Sequence, residues 1–249
     1  MNPLLLDVCR HHRVTLTEDG RDGVLIGQKD DAPLQRRLNA IIPVSFACID
    51  GVRVASGYPA VSHALNAHMT EYRDTLFSDR SLTSLHRALI PYLTEWGYRP
   101  SPFYLRYGIA CLFGPTTPVP TEQSPAPAQL CRLGEQHLRL RNLTSMKISD
   151  CVARGAFGCV EDGAICAVAA VNSSSDAEHC VEIGVECAPD YRRRGFALAS
   201  VRALTDMLTA EGKTVLYRYY VTNTASAAVA ARAGFVPAGG FFAYTAFRV

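Results

Sequence analysis

The chain has 249 residues, 48% of them hydrophobic and 19% charged, enough apolar material for one large domain or two small ones and too little charge for a disordered chain. Its 25 Lys and Arg against 23 Asp and Glu leave a formal charge of +2, which excludes a strong overall pull toward nucleic acid or an acidic membrane surface. No run approaches the roughly 18 apolar residues of a membrane span. The first ten residues lack the basic start of a signal peptide. The nine cysteines are scattered without Cys-x-x-Cys or metal-site spacing, so reduced thiols in a cytoplasmic protein without a metal site are expected.

In chain order, short helices are expected over Leu4–His12 and Pro33–Ala40. Asp50-Gly51 between two β-rich runs in Val44–Ser56 predicts a hairpin, because both turn positions need positive φ. A longer helix is predicted over Leu82–Trp96, with Leu85, Leu89, Tyr92 and Leu93 on one face and Gly97 as its stop. Phe103–Phe113 reads as a strand. His63 and His68, five apart, share no helix face, and Trp96 reads as core. Gly114–Ala128 then carries five prolines, a composition that favours extended backbone without hydrogen bonds. It is expected to be a linker between an N-terminal α/β domain, 1–113, and a C-terminal domain, 129–249.

The C-terminal part predicts a strand at Leu130–Leu133, a helix at Thr144–Ala153, and two strands, Ala156–Val160 and Ala164–Val171, joined at Glu161-Asp162-Gly163. A third strand, Cys180–Cys187, follows. A helix is expected over Arg193–Ala210, a strand over Thr214–Val221 and an alanine-rich helix over Ala225–Ala233, stopped by Gly234. Phe235–Val249 supplies the final strands. Both halves contain a hairpin, a helix and a Gly-capped strand, but the spacing from hairpin Gly to capping Gly is 46 residues in one and 71 in the other. The N-terminal part is therefore at most a degenerate copy of the C-terminal one.

The chemistry concentrates where the third strand turns into its helix, at Val181-Glu-Ile-Gly-Val-Glu-Cys-Ala-Pro-Asp-Tyr-Arg-Arg-Arg-Gly-Phe-Ala197. The first N–H groups of a helix have no internal partner, and the helix dipole adds positive potential there. Gly195 lets a bulky anion approach the backbone, and Ala197 keeps that surface low. Cations at a helix start are unfavourable by about 0.3–1 kcal/mol each, so three arginines call for a bound anion such as a diphosphate. Glu182 and Glu186 lie four apart on the strand, on one face with Gly184. Either could take a proton from a nucleophile, unless a bulge breaks the alternation.

Arg192-x-x-Gly195-x-Ala197 resembles the acyl-CoA pyrophosphate loop of the GNAT superfamily of N-acetyltransferases. Asn223-Thr-Ala-Ser226 followed by Ala233-Gly-Phe235 resembles that family's second cofactor segment. The likeness covers roughly the last half of the chain. It implies a mixed, mostly antiparallel sheet flanked by helices, preceded here by the extra α/β domain. It implies acetyl-CoA lying between strands 180–187 and 214–221. Val185 and Cys187 would bond its pantetheine arm, Arg192, Arg193, Arg194, Gly195, Phe196 and Ala197 would hold its pyrophosphate, and Asn223 and Ser226 would contact the arm. An amine of a small molecule or protein would attack the thioester, with Glu182 or Glu186 as base. Nucleic-acid and membrane partners are not expected, and the oligomeric state is left open.

The family's acid tyrosine is Ala230 here, so Tyr217, Tyr219 or Tyr244 would have to substitute, or the thiolate leave unaided. The rival reading is a CoA-binding sensor or interaction module without catalysis. A different nucleotide-binding protein is a third, against which the lack of Gly-x-x-x-x-Gly-Lys-Ser/Thr and Gly-x-Gly-x-x-Gly counts. If 114–128 is a linker with almost nothing to bury, limited proteolysis should cut there before it cuts within 44–56 or 180–187.

Overall fold

The computed structural model describes Cys9 and residues 24–49, 51–101, 105–112, 129–172 and 180–249. The expected linker and most of the expected Leu4–His12 helix lie outside these residues, though Cys9 is helical and buried. In chain order the elements are β1 (Val24–Gln28), α1 (Ala32–Gln35), β2 (Ala40–Ile49), β3 (Val52–Gly57), α2 (Ser62–Glu71), α3 (Asp79–Trp96), β4 (Tyr98–Pro100) and β5 (Leu105–Leu112). They continue with β6 (Gln129–Arg132), β7 (Arg141–Asn142), α4 (Ile148–Arg154), β8 (Ala156–Glu161), β9 (Ala164–Val171) and β10 (Cys180–Cys187). The last are α5 (Phe196–Ala210), β11 (Thr214–Tyr220), α6 (Thr224–Arg232) and β12 (Val236–Arg248). The class is the expected mixed α/β.

The chain forms two compact units: residues up to Gly108 together with Ala238–Val249, and Ile109–Pro237. The second unit therefore ends before the final strand that the sequence reading placed in 129–249. Packing explains the difference, since Phe242, Tyr244 and Ala246 of β12 enter the same core as Phe46, Leu85 and Leu89. β12 pairs antiparallel with β2 from Gly239–Ile49 onward. A Cβ at Gly239 would collide with the Cys48 carbonyl, so only glycine allows that approach.

In the first unit β1 pairs parallel with β3, and β3 forms a hairpin with β2 around Gly51, whose φ is 79°. Helix α3 starts three residues earlier than expected, because Ser78 caps it by accepting from Ser81 N at 3.2 Å. Gly97 ends it at φ 76°, as its position suggested. Helix α1 is shorter than expected because Ala40 already belongs to β2. Helix α2 was not foreseen. It buries Leu65, His68 and Met69 and leaves His63 exposed. The His68 Nε2 lies 3.1 Å from Ser81 Oγ, which donates to the Leu76 carbonyl at 2.8 Å. The ring also stacks on Tyr72 at 4.9 Å.

In the second unit the strand order is β11-β10-β9-β8-β6, with β7 beside β9. All pairs along that order are antiparallel except β10–β11, which is parallel. Gly163 turns the β8–β9 hairpin at φ 69°, as expected from Asp162-Gly163. Helices α5 and α6 cover one face, where Val201, Leu204, Leu208 and Ala230 meet Val181, Ile183 and Val215. Helix α4 packs through Ile148 and Cys151 on Ile165, Val168 and Ala170. Among the described residues no helix is long and apolar enough to cross a membrane.

Burial lowers the His68 pKa from 6.5 to about 4, while Glu71 opposes the shift weakly. The unfolded chain therefore binds a proton that the folded chain refuses between those values. Stability should be full above pH 6.5 and fall by about 3 kcal/mol as pH drops toward 4. Urea unfolding across that range should show the slope, and His68→Phe should lose this share of it.

Candidate active site

The parallel pairing of β10 with β11 runs from Cys180–Thr214 to Ile183–Tyr217 and stops there, although both strands continue. β10 stays paired with β9 without a register shift through Cys187–Ala167, so the strand carries no bulge toward β9. Asn172 N donates to the Glu182 carbonyl, and Ala188 N to the Cys166 carbonyl, each at 2.8 Å. The even-numbered residues of β10 thus spend their backbone groups on β9, and the odd-numbered ones turn theirs away from it. Past Ile183 those are Val185 and Cys187, which face the gap that β11 has left. They are the two residues the sequence nominated for a strand-like ligand arm. The Cys187 carbonyl already accepts from Arg192 Nε at 3.4 Å.

A cavity of about 780 Å³ occupies this gap and reaches the start of α5. Val185, Cys187, Arg192, Arg193, Gly195, Phe196, Ala197, Asn223 and Ser226 line it. Glu186 also lines it, whereas Glu182, Gly184 and Met146 do not. The helix expected from Arg193 begins only at Phe196. Arg193 at φ 63° and Gly195 at φ 83° turn the chain first, and the arginines stand before the helix rather than within it. A Cβ at Gly195 would meet nothing within 4 Å, so this residue faces open space beside the free N–H groups of the first turn.

The three arginines divide. Arg192 and Arg193 are exposed at the cavity. Arg194 does not line it: its guanidinium grips both oxygens of Glu161 at 2.8 and 2.5 Å and lies 4.6 Å from the Phe196 ring centre. Its place is in the packing that fixes the turn. Glu161 stands 33 residues away, so spacing alone could not reveal the pair.

The glutamates also divide. Glu182 lies off the cavity, its carboxylate accepting from Asn172 Nδ2 at 2.9 Å and Arg218 Nη2 at 2.8 Å. Glu186 accepts from Ser145 N at 2.7 Å, Ser145 Oγ at 2.8 Å and Met146 N at 2.9 Å. Asn223 caps α6 by accepting from Ser226 N at 3.0 Å, and Ser226 Oγ lies 3.0 Å from the Tyr217 hydroxyl. Tyr217 lines the cavity. Burial pushes its phenol up, against a smaller opposing effect of the Ser226 bond, so it is a protonated donor at neutral pH. Tyr219 packs beside it, 6.3 Å between ring centres. Tyr244 belongs to the first unit, where His86 Nδ1 lies 2.7 Å from its hydroxyl. Ala230 is core. Among the described residues no cluster of three or more His, Cys, Asp or Glu could hold a metal.

Residues 134–236 match the family described as acetyltransferase (GNAT) domain. That stretch, less than half of the chain, is similar to a GNAT acetyltransferase domain. No curated protein matches the sequence. Among solved structures, a GNAT-family protein from Novosphingobium aromaticivorans is 19% identical, with 61% of this chain and 68% of that one covered at a TM-score of 0.48. A GCN5-related N-acetyltransferase-like protein from Streptococcus suis is 14% identical over 92% of this chain and 80% of that one, TM-score 0.46. A GNAT-family acetyltransferase from Colwellia psychrerythraea is 14% identical over 81% of both chains, TM-score 0.44.

The GNAT domain match ends at Val236, at the edge of the second unit, and encloses the whole cavity lining. Leu198 of α5 and Val229 and Arg232 of α6 also line the cavity and were not foreseen; nothing in the alanine-rich sequence of α6 marks which side faces a gap. Arg194→Ala should lower the melting temperature, because it strands Glu161 and uncovers Phe196. Arg193→Ala should leave the melting temperature unchanged and weaken inorganic pyrophosphate binding, read by thermal shift against pyrophosphate concentration.

Proposed function

We propose that this protein transfers an acetyl or other acyl group from acyl-CoA to a primary amine of a small molecule or a protein. The observation that supports it most is the gap itself. It joins two odd-numbered backbone positions, Val185 and Cys187, to an open helix start flanked by Arg192 and Arg193. That is the order of needs along CoA, amides in the arm and then a diphosphate. Acyl transfer from CoA is the general chemistry of the GNAT family. The N–H groups of Gly195 to Leu198 and the two exposed arginines would hold the diphosphate. Asn223 and Ser226 would meet the arm near its reactive end.

In the transfer the amine nitrogen attacks the thioester carbon, the C–S bond breaks, and the nitrogen loses a proton. Tyr217, which lines the cavity, would protonate the departing thiolate, in the role that Ala230 cannot fill. Glu186 or Glu182 would receive the amine proton, directly or through water. Glu186 is favoured because it lines the cavity and Glu182 does not, although both carboxylates accept hydrogen bonds within the protein. Ala230 and the Glu182–Arg218 ion pair also favour the second reading, a CoA-binding module without turnover. Thiol release from acetyl-CoA over a panel of amines separates the two.

Calorimetry of the whole chain should show CoA binding, and Gly195→Glu should abolish it in a protein that remains folded. No heat with millimolar CoA would overturn the cofactor reading. Glu186→Gln should lower turnover by roughly 10²–10⁴-fold, as for loss of a general base, and remove the acid limb of the rate profile. Glu182→Gln, assayed in parallel, shows which carboxylate carries the proton.

A further inference from the structure

Met146 stands against β10 at the point where the strands part. Gly184 is the first residue beyond the last β10–β11 pair, Ile183–Tyr217. It shares the face of Glu182 and Glu186, the face away from α5 and α6. A methyl group built on Gly184 would lie 3.8 Å from Met146 Cε, an ordinary contact distance. An arm that enters from the α5 start and runs past Cys187 and Val185 is halted where β11 closes on β10. Its reactive end therefore arrives beside Gly184. Neither Gly184 nor Met146 lines the cavity itself, so what the arm carries past its closed end meets Met146 across Gly184.

A methionine side chain is flexible, so its placement depends on how firmly its backbone is held. Here both backbone groups are tied. Met146 N donates to Glu186 Oε2 at 2.9 Å, and Met146 O accepts from Asn142 Nδ2 at 2.9 Å. The turn between them is pinned twice more, by Ser145 N and Ser145 Oγ on the Glu186 carboxylate and by Thr144 N and Oγ1 on Asn142 Oδ1. The side chain packs against the cluster of Leu133, Ile148, Cys151 and Val168. The Cε methyl thus lies at contact distance from where a side chain on Gly184 would begin.

We infer that Met146, held over Gly184 by Glu186 and Asn142, sets the length of the acyl chain that the site accepts, and that it selects two-carbon acyl groups over four-carbon ones. The inference rests on the acyl-CoA reading of the cavity and adds to it a selectivity device in residues of this chain. It also gives Glu186 a positioning role that does not depend on its taking a proton.

The test is calorimetric and needs no acceptor amine. Free CoA, acetyl-CoA and butyryl-CoA are titrated into the whole wild-type chain and into Met146→Ala and Met146→Leu. Wild type should bind acetyl-CoA at least 10-fold more tightly than butyryl-CoA, the lower end of what one or two methylenes decide in a closed pocket. Met146→Ala should shrink that ratio at least 10-fold with free-CoA affinity unchanged. Met146→Leu, which keeps the volume, should retain the wild-type ratio and guards against a folding defect in the alanine variant. If free CoA binds but the butyryl-to-acetyl ratio is the same in wild type and in folded Met146→Ala, Met146 does not measure the chain and the inference falls alone. If free CoA does not bind wild type, the cavity reading falls and takes this inference with it.

Discussion

The candidate site depends on one event, the parting of two parallel strands. A parallel pair must satisfy its backbone groups along its whole length or present them to something else. β10 is paired with β9 from Ile183 to Cys187 and loses β11 on its other side after Ile183. The residues beyond that point hold their extended form because β9 still grips them. This makes Val185 and Cys187 a rigid half-ladder rather than a loop. A ligand with its own amides can complete it at little cost in ordering the protein.

The end of the gap is built from a different constraint. The chain leaves β10, makes one short turn and must enter α5 with its first N–H groups aimed back at the gap. Two residues with positive φ, Arg193 and Gly195, achieve this. A non-glycine residue in that region carries strain, which the Arg194–Glu161 pair and its stacking on Phe196 help to hold. The middle arginine of this turn is therefore held in an uncommon backbone, and the last one supplies the brace. Charge and conformation are divided among three adjacent residues of one type.

Features carried by local chemistry were legible in the sequence. Asp162-Gly163 marked its hairpin and Gly97 its helix end. The nominated cofactor positions, apart from Arg194, line the cavity, and the motif that named them is local. Features set by distant partners were not legible. The fate of Arg194 depends on Glu161, and that of Glu186 on Ser145 and Met146, 41 and 40 residues away. His68 looked ordinary because its partner, Ser81, sits on another helix. The start of α5 was misplaced because arginines are good helix formers, and that preference conceals a backbone held at positive φ by the fold. The unit that β12 joins is set in the same way. Its aromatic alternation says that one face is buried and cannot say in which core.

That last strand has a consequence for how the molecule is made. The first unit is discontinuous: its sheet lacks β12, and its core lacks Phe242 and Tyr244, until all of the second unit has been synthesised. On the ribosome the stretch 109–237 can complete its own sheet while the earlier-made unit still exposes the edge of β2. An unpaired strand edge of that length is an invitation to wrong pairing. The order of synthesis thus asks the second unit to fold first and leaves the oldest part of the chain waiting for the youngest.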